Sequence, residues 1–149
     1  MIVAIGCDHG GYAMKLKLIE HLNKIGVEYK DFGTFSEESC DYPDYALPVA
    51  EAVKDGLCDR GILICGTGIG ISIAANKVPG IRASLCHDVF SAKATRKHND
   101  SNILAFGARV IGEGLMTEIV DAYLSTEFEG GRHSARIDKI TAIEKKYSK

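Results

Sequence analysis

The feature that most constrains the fold is the alternation of short apolar runs, rich in Val and Ile, with segments of helical periodicity. Five runs predict strands, at residues 2–6, 27–33, 61–65, 81–86 and 102–107. Helix-period segments lie between and after them, at residues 12–26, 44–56, 71–77, 88–99, 113–125 and 134–149. Strict alternation implies right-handed crossovers and a parallel sheet covered on both faces. We therefore predict one domain over residues 1–149, a doubly wound, Rossmann-like α/β/α sandwich with a five-stranded parallel sheet.

The charge balance and the cysteine pattern narrow the function classes. A formal net charge of -2, with 26% charged residues, gives no reason to expect nucleic acid or an anionic membrane as partner. No apolar run approaches the roughly 20 residues of a membrane span, and the N-terminal sequence shows no basic segment or cleavage site. The five cysteines form no CxxC pair, so neither a disulfide framework nor a zinc site is indicated. We expect a cytoplasmic protein that binds a small polar ligand.

The stretch GILICGTGIGISIAANK, residues 61–77, runs from a predicted strand through a glycine-rich turn into a helix. Its GxGxG spacing, with Asp88 placed 22 residues after Gly66, nearly matches a dinucleotide fingerprint. That fingerprint normally follows the first strand of its unit, whereas this turn follows the third. A Walker A loop is excluded because no GK[ST] ends the turn. The remaining candidates are a phosphate or an oxyanion, held by backbone N–H groups of the turn.

Cys65 ends the strand directly before this turn, and a helix N-terminus favours the thiolate form of an adjacent cysteine. The thiolate would be available as a nucleophile or a base. The alternative is that Cys65 only packs against its neighbours, and spacing alone leaves both interpretations open.

Other polar clusters also have two interpretations. Asp8 and His9 follow the first strand, where they can present a carboxylate and an imidazole, or Asp8 can simply cap a helix. His98 and Asn99 end a predicted helix, where a cation suits the helix dipole and no catalysis is needed.

The segment GGRHSARID, residues 130–138, contains two arginines four positions apart. On a helix, Arg132 and Arg136 would project from one face and could grip a phosphate together, although a solvated surface pair would look the same. Tyr42 precedes Pro43 in a predicted loop, where ordinary turn chemistry is the alternative to a ligand contact.

Taken in order, six segments resemble the ribose-5-phosphate isomerases of type B, which share a superfamily with the galactose-6-phosphate isomerase subunits. These segments are residues 6–15, 41–46, 65–77, 80–83, 96–112 and 130–137. The family has two catalytic layouts, one with a cysteine before the glycine loop and one with a glutamate at its end. With Cys65 at the first position and Ile71 at the second, the chain is similar to the cysteine type.

The resemblance implies interconversion of D-ribose 5-phosphate and D-ribulose 5-phosphate through a cis-enediolate, a step of the pentose phosphate pathway, with no metal or organic cofactor. Cys65 matches the base that takes the C2 proton, and His98 matches the group that opens the sugar ring, with Asp8 assisting. Thr67 is expected to shuttle a proton between the two oxygens. The residues whose backbone N–H groups would stabilise the developing negative charge are Gly66, Thr67, Gly68, Ile69 and Gly70.

For substrate binding, the resemblance places His9, Arg132 and Arg136 at the phosphate, with Arg109 also lining the site. Asn99 would hold a sugar hydroxyl, and Asp8 and Tyr42 are expected to contact the substrate. In relatives the C-terminal segment crosses to a partner, which implies a homodimer or a dimer of dimers with shared active sites.

Three rival functions remain. An isomerase of a hexose 6-phosphate, such as allose or galactose 6-phosphate, needs the same chemistry with a longer pocket. A phosphate- or nucleotide-binding module without catalysis would use the same glycine loop. A cysteine phosphatase is disfavoured because its CX5R loop requires an arginine where Ile71 stands.

Overall fold

The computed structural model describes residues 1–149, which form five strands and six α-helices in alternation. The strands are β1 (Ile2–Cys7), β2 (Glu28–Asp31), β3 (Arg60–Cys65), β4 (Ala83–Leu85) and β5 (Ile103–Gly107). The helices are α1 (Tyr12–Lys24), α2 (Pro43–Lys54), α3 (Ile69–Ala75), α4 (Val89–Asn99), α5 (Glu113–Ser125) and α6 (Arg132–Tyr147). A short 3-10 turn, His9–Gly11, precedes α1. The predicted five-stranded α/β fold is confirmed.

All strand pairs are parallel, and the strands lie in the order β2-β1-β3-β5-β4. The chain leaves β1 toward one edge of the sheet to form β2, and then returns to the other side of β1 to form β3. This reversal makes β1 and β3 the topological switch point, where a crevice opens beyond the carboxyl ends of the strands. The turns after β1 and β3 therefore share that crevice.

The sheet is covered on both faces, which explains why the central strands are apolar along their whole length. Alternate residues of β3 belong to different core layers: Ile62 and Ile64 pack with α1, α4 and α5, whereas Leu63 and Cys65 pack with α2 and α3. The Cys65 side chain thus points toward the layer that contains α3, the helix that follows the glycine turn.

The last helix, α6, packs on α4 of its own chain. The ring of His133, in its first turn, stacks on the ring of His98 with 4.5 Å between centroids. Further along α6, the Glu144 carboxylate accepts a hydrogen bond from the Gly80 N–H at 3.0 Å. No helix in the structure combines the length and the apolar character that a membrane span requires.

All element boundaries lie within two residues of their predicted positions, and three of the differences concern α3, α6 and β4. α3 begins at Ile69 rather than residue 71, because Gly68 adopts a left-handed conformation that starts the helix two residues earlier. α6 begins at Arg132 rather than residue 134. β4 is limited to Ala83–Leu85 within the predicted 81–86, because it is an edge strand paired only with β5.

Candidate active site

The glycine turn after β3 is folded around the Cys65 sulfur. Gly68 has φ +76°, and a Cβ atom there would lie 2.6 Å from both Leu85 and the Phe106 backbone, so only glycine fits. This conformation lets the Gly68 N–H donate to the Cys65 Sγ at 3.0 Å. The next N–H, that of Ile69, donates to the Thr67 Oγ1 at 3.2 Å. The turn therefore holds the thiol in a fixed position beside the hydroxyl of Thr67.

The turn leaves fewer free donors than the sequence suggested. The N–H groups of Gly68 and Ile69 are already used by side chains of the turn, whereas those of Gly66, Thr67 and Gly70 donate to no atom of the chain. The predicted set of five oxyanion donors is thus reduced to three backbone groups and the Thr67 hydroxyl. Because α3 has only seven residues, these individual groups matter more than a helix dipole.

Cys65 differs from the other cysteines in its surroundings. All five thiols are free and only Cys40 is not buried, so most are small core residues as predicted. Burial raises the pKa of Cys7 to about 12 and that of Cys86 to about 11, so both remain protonated near neutral pH. Burial also raises the pKa of Cys58. The Cys65 thiol accepts a hydrogen bond from the Gly68 N–H of the glycine turn.

The turn after β1 brings a carboxylate and an imidazole to the same crevice. Asp8 is buried, and its Oδ1 caps the 3-10 turn by accepting from the Gly11 N–H at 3.1 Å. Asp8 therefore caps this turn through its Oδ1. Its Oδ2 accepts no hydrogen bond from the chain. The His9 Nδ1 accepts from the Cys40 N–H at 3.2 Å, which assigns the ring proton of neutral His9 to Nε2. His9 thus offers a neutral N–H donor on its outer side.

Two further predicted residues lie against the glycine turn. The ring of Tyr42 packs so closely on Gly70 that a Cβ atom there would lie 2.6 Å from the ring. The Arg109 side chain lies 3.5 Å from where a Cβ atom of Gly66 would be, and its backbone N–H donates to the Gly66 carbonyl at 3.0 Å. We call the residues of this crevice the thiol edge: Asp8, His9, Tyr42, Cys65 to Gly70 and Arg109.

The remaining predicted residues lie elsewhere. α4 returns from the carboxyl end of β4 to the amino end of β5. His98 and Asn99 therefore lie beyond the amino ends of the strands, opposite the end at which Cys65 lies. There the Arg82 Nε, at the start of β4, donates to the Asn99 carbonyl at 3.0 Å. Because Gly61 pairs with Ile103 and Cys65 with Gly107, the two edges are four residue steps apart, or about 13 Å.

Arg132 and Arg136 lie at this second edge, because His133 in the first turn of α6 stacks its ring on that of His98 at the end of α4. They are four apart on one helix, as predicted, and both are exposed. We call this group the histidine edge: His98, Asn99, Arg132 and Arg136. In a single chain, the predicted site is therefore divided into two halves that do not meet.

Asp88, which nearly completes the dinucleotide fingerprint, instead caps α4. Its carboxylate accepts from the Ser91 N–H at 2.6 Å and from the Ser91 hydroxyl at 2.9 Å. These hydrogen bonds lower the pKa of Asp88. The capping role accounts for an acidic residue at this position without a nucleotide.

Sequence reasoning missed several residues that shape the thiol edge. Lys15 is fully buried, and its Nζ donates to the Asp31 Oδ1 at 2.8 Å and to the Thr34 carbonyl. This pair anchors the loop that leads to Cys40, the partner of His9. The available signal was the helical spacing that puts Lys15 on one face with Leu18 and Leu22, but an amphipathic helix with several lysines hides it.

The parallel sheet and the thiol edge define the class of this chain as an α/β protein with a small-molecule site at the topological switch point. A model of the Ribose/Galactose Isomerase family matches residues 3–140. The chain belongs to this family.

Individual relatives agree with the family assignment. The chain is 56% identical to ribose-5-phosphate isomerase B of Escherichia coli over 97% of both chains. It is 46% identical to D-erythrulose-4-phosphate isomerase of Pectobacterium atrosepticum, over 95% of this chain and 94% of the relative. The solved structure of ribose-5-phosphate isomerase B from Clostridium thermocellum is 60% identical and superposes with a TM-score of 0.98, over 99% of this chain and all of the other.

Proposed function

We propose that this chain interconverts D-ribose 5-phosphate and D-ribulose 5-phosphate through a cis-enediolate, with Cys65 as the base. The observation that carries this proposal is a thiol fixed beside free backbone donors at the switch point of the sheet. An aldose–ketose isomerisation needs these two elements, because a weakly acidic C–H must be deprotonated while charge develops on the adjacent oxygen. The identity to ribose-5-phosphate isomerases of type B along the whole chain supports the choice of sugar.

We assign proton abstraction to Cys65 because its thiol lies against the glycine turn after β3. The Gly68 N–H holds the sulfur from one side, so the free lone pairs of a thiolate point away from the turn. Abstraction of the C2 proton of the open-chain aldose gives the enediolate, and return of the proton to C1 gives the ketose. General base catalysis of this kind contributes on the order of a hundredfold to ten-thousandfold in rate.

Negative charge on the substrate oxygens is stabilised by the donors that the turn leaves free. These are the N–H groups of Gly66, Thr67 and Gly70, and they are held in place before the reaction begins. Losing one such donor typically costs about 3 kcal/mol of transition-state stabilisation. Because the Thr67 Oγ1 already accepts from Ile69, its own proton is free to be donated. That arrangement suits Thr67 for moving a proton between O1 and O2.

Ring opening precedes isomerisation because the aldose is mostly a closed furanose. We assign this step to the His98 imidazole, whose side chain is 47% exposed and can enter a neighbouring site. The free Oδ2 of Asp8 can accept a proton in the same step.

The phosphate is placed between the two edges. His9 contributes its Nε2–H from the thiol edge, and the Arg109 side chain lies against Gly66 of the same edge. Arg132 and Arg136 contribute two guanidiniums from one helix face, which suits bidentate contacts to phosphate oxygens. Asn99 is assigned to a sugar hydroxyl, and Tyr42 closes the pocket at Gly70.

A complete site requires two chains, because in one chain the thiol edge lies at the carboxyl ends of the strands and the histidine edge lies at their amino ends. The cavities of the single chain, about 200 to 500 Å³ in volume, are all lined by residues other than Cys65, Asp8 and His9. Apolar side chains near the carboxyl edge are also strongly exposed, each by 39% or more; these are Ile69, Ile73, Leu85, Phe90 and Val110. A twofold dimer would bury such a surface and join each thiol edge to a partner's histidine edge.

A different sugar phosphate is the second candidate for the same chemistry. The relative that isomerises D-erythrulose 4-phosphate is 46% identical, so a substrate one carbon shorter is a specific alternative. A hexose 6-phosphate remains the longer alternative. Because the catalytic groups would be the same, the distance between the base and the phosphate site decides among the three.

The cytoplasmic location stays a prediction.

The experiment that tests this function compares three aldose phosphates with the purified chain in the presence of EDTA. Turnover should be fastest with ribose 5-phosphate and slower with erythrose 4-phosphate and allose 6-phosphate. A different order would reassign the substrate. No turnover on any of them would favour a binding module without catalysis.

A further inference from the structure

A second cluster of reactive groups lies at the histidine edge, apart from the thiol. One ligand atom each from His98, Glu129 and His133 lies within 4.8 Å of the other two. A backbone hydrogen bond holds Glu129 near His98: the Glu129 N–H donates to the Lys97 carbonyl at 3.2 Å, which fixes the α5–α6 loop against the end of α4. His133 follows in the first turn of α6, with its ring stacked on that of His98.

Two imidazoles and one carboxylate form a donor set that suits Zn²⁺ with a fourth position left open. We propose that His98, Glu129 and His133 form a binding site for a borderline-soft divalent cation such as Zn²⁺. We further infer that the bound cation inhibits isomerisation by occupying the imidazole nitrogen of His98, a consequence that rests on the proposed function.

Binding needs rotation of the His98 ring out of its stack on His133, because the nitrogen lone pairs of stacked imidazoles lie in nearly parallel planes and do not converge on one ion. In a tetrahedral zinc site with bonds of about 2.1 Å, neighbouring ligand atoms lie about 3.4 Å apart. The His98 Nε2 and the Glu129 Oε1 are already 3.9 Å apart, and both side chains are about half exposed, so they can rotate. His133 is buried and supplies the fixed ligand.

The surrounding charges limit the affinity. Lys93 and Lys97 line, with His98 and Glu129, a cavity of about 200 Å³ beside the cluster, and the charges of Arg132 and Arg136 also act on His133. Their positive charge weakens the binding of a cation and favours an anion as the fourth ligand. We therefore expect a dissociation constant in the micromolar range, weaker than that of a structural zinc site.

Binding is tested directly, without reference to activity. The EDTA-treated full-length protein is dialysed against ZnCl₂, and CoCl₂ is added separately as a spectroscopic probe. One ion per chain and visible d–d absorption of Co²⁺ are expected. Glu129→Gln and His133→Gln should each weaken binding at least about tenfold. His21→Gln should leave it unchanged, because His21 pairs with Asp121 and not with the cluster.

Two results would overturn the site. One is failure to retain either metal, and the other is binding that is lost in His21→Gln but unaffected by Glu129→Gln.

Activity then separates the metal site from the proposed function. Zn²⁺ should inhibit turnover of ribose 5-phosphate more strongly than that of linear ribulose 5-phosphate, because His98 is assigned to ring opening. Glu129→Gln should keep its basal turnover and require at least about tenfold more Zn²⁺ for the same inhibition. Metal binding at the cluster without inhibition in either direction would support the site and contradict the assigned role of His98.

Discussion

If each active site joins the thiol edge of one chain to the histidine edge of another, two inactive subunits can restore activity when paired. The perturbation is to combine Cys65→Ala in one subunit with His98→Asn in its partner. Within one chain the two residues lie beyond opposite ends of strands that span about 13 Å, so they cannot act on the same sugar. In a mixed dimer, one site contains both substitutions and the other contains neither.

The expected magnitude follows from twofold symmetry. Each mixed dimer has one intact site out of two, so its turnover should be about half that of the wild-type dimer. The assay uses subunits co-expressed with two different affinity tags, purified sequentially and tested on ribose 5-phosphate. Each variant alone should be nearly inactive.

A matched control uses two residues from the same edge. Cys65→Ala paired with His9→Asn should show no recovery beyond the activity of the two parents, because each site then contains one defect. If the Cys65→Ala and His98→Asn pair likewise shows no recovery, the shared site is refuted. The two residues would then have to act within one chain, or one of them would not be catalytic.

Three other substitutions test separate parts of the account. His98→Asn should reduce turnover of ribose 5-phosphate more than that of linear ribulose 5-phosphate, measured in coupled assays, and equal losses would contradict a role in ring opening. Arg132→Ala should mainly raise KM, whereas Lys139→Ala on the same exposed helix should not; an unchanged KM would remove Arg132 from the phosphate site. Lys15→Ala should destabilise the fold by about 3 kcal/mol in urea unfolding, because it leaves the carboxylate of Asp31 without its buried partner, and a loss below 1 kcal/mol would show that the pair does not anchor the loop.

The strand predictions succeeded where burial on both faces made the signal strong. β1, β3 and β5 are almost entirely buried, and their Val- and Ile-rich runs predicted them within one or two residues. β2 gave a weaker signal because it is an edge strand that alternates exposed and half-buried residues. The order of the strands was not predicted, because periodicity does not determine which strands pair.

The composition of the site was more predictable than its placement. Cys65 and the glycine turn were predicted because a cysteine directly before a glycine-rich turn, at the end of a strand, points to ligand binding or catalysis more than to packing. The use of two N–H groups by the Cys65 sulfur and the Thr67 hydroxyl depends on the φ of Gly68, which the sequence alone does not specify.

The separation of the two edges could have been derived from the sequence. A helix that follows one parallel strand must end at the amino edge of the next, so His98 could not lie beside Cys65 in the same chain. The resemblance implied a shared site, and the topology of the single chain supports that proposal. The meeting of His98 with Glu129 and His133 was not predictable, because it depends on how α6 packs on α4.

The central claim, that Cys65 is the base, is tested most directly by turnover of ribulose 5-phosphate, which needs no ring opening. We expect Cys65→Ala to lower kcat by at least about a hundredfold. KM, and substrate binding measured by calorimetry, should remain near the wild-type values. A variant that folds, binds the sugar and retains substantial turnover would contradict the account and place the base on another residue.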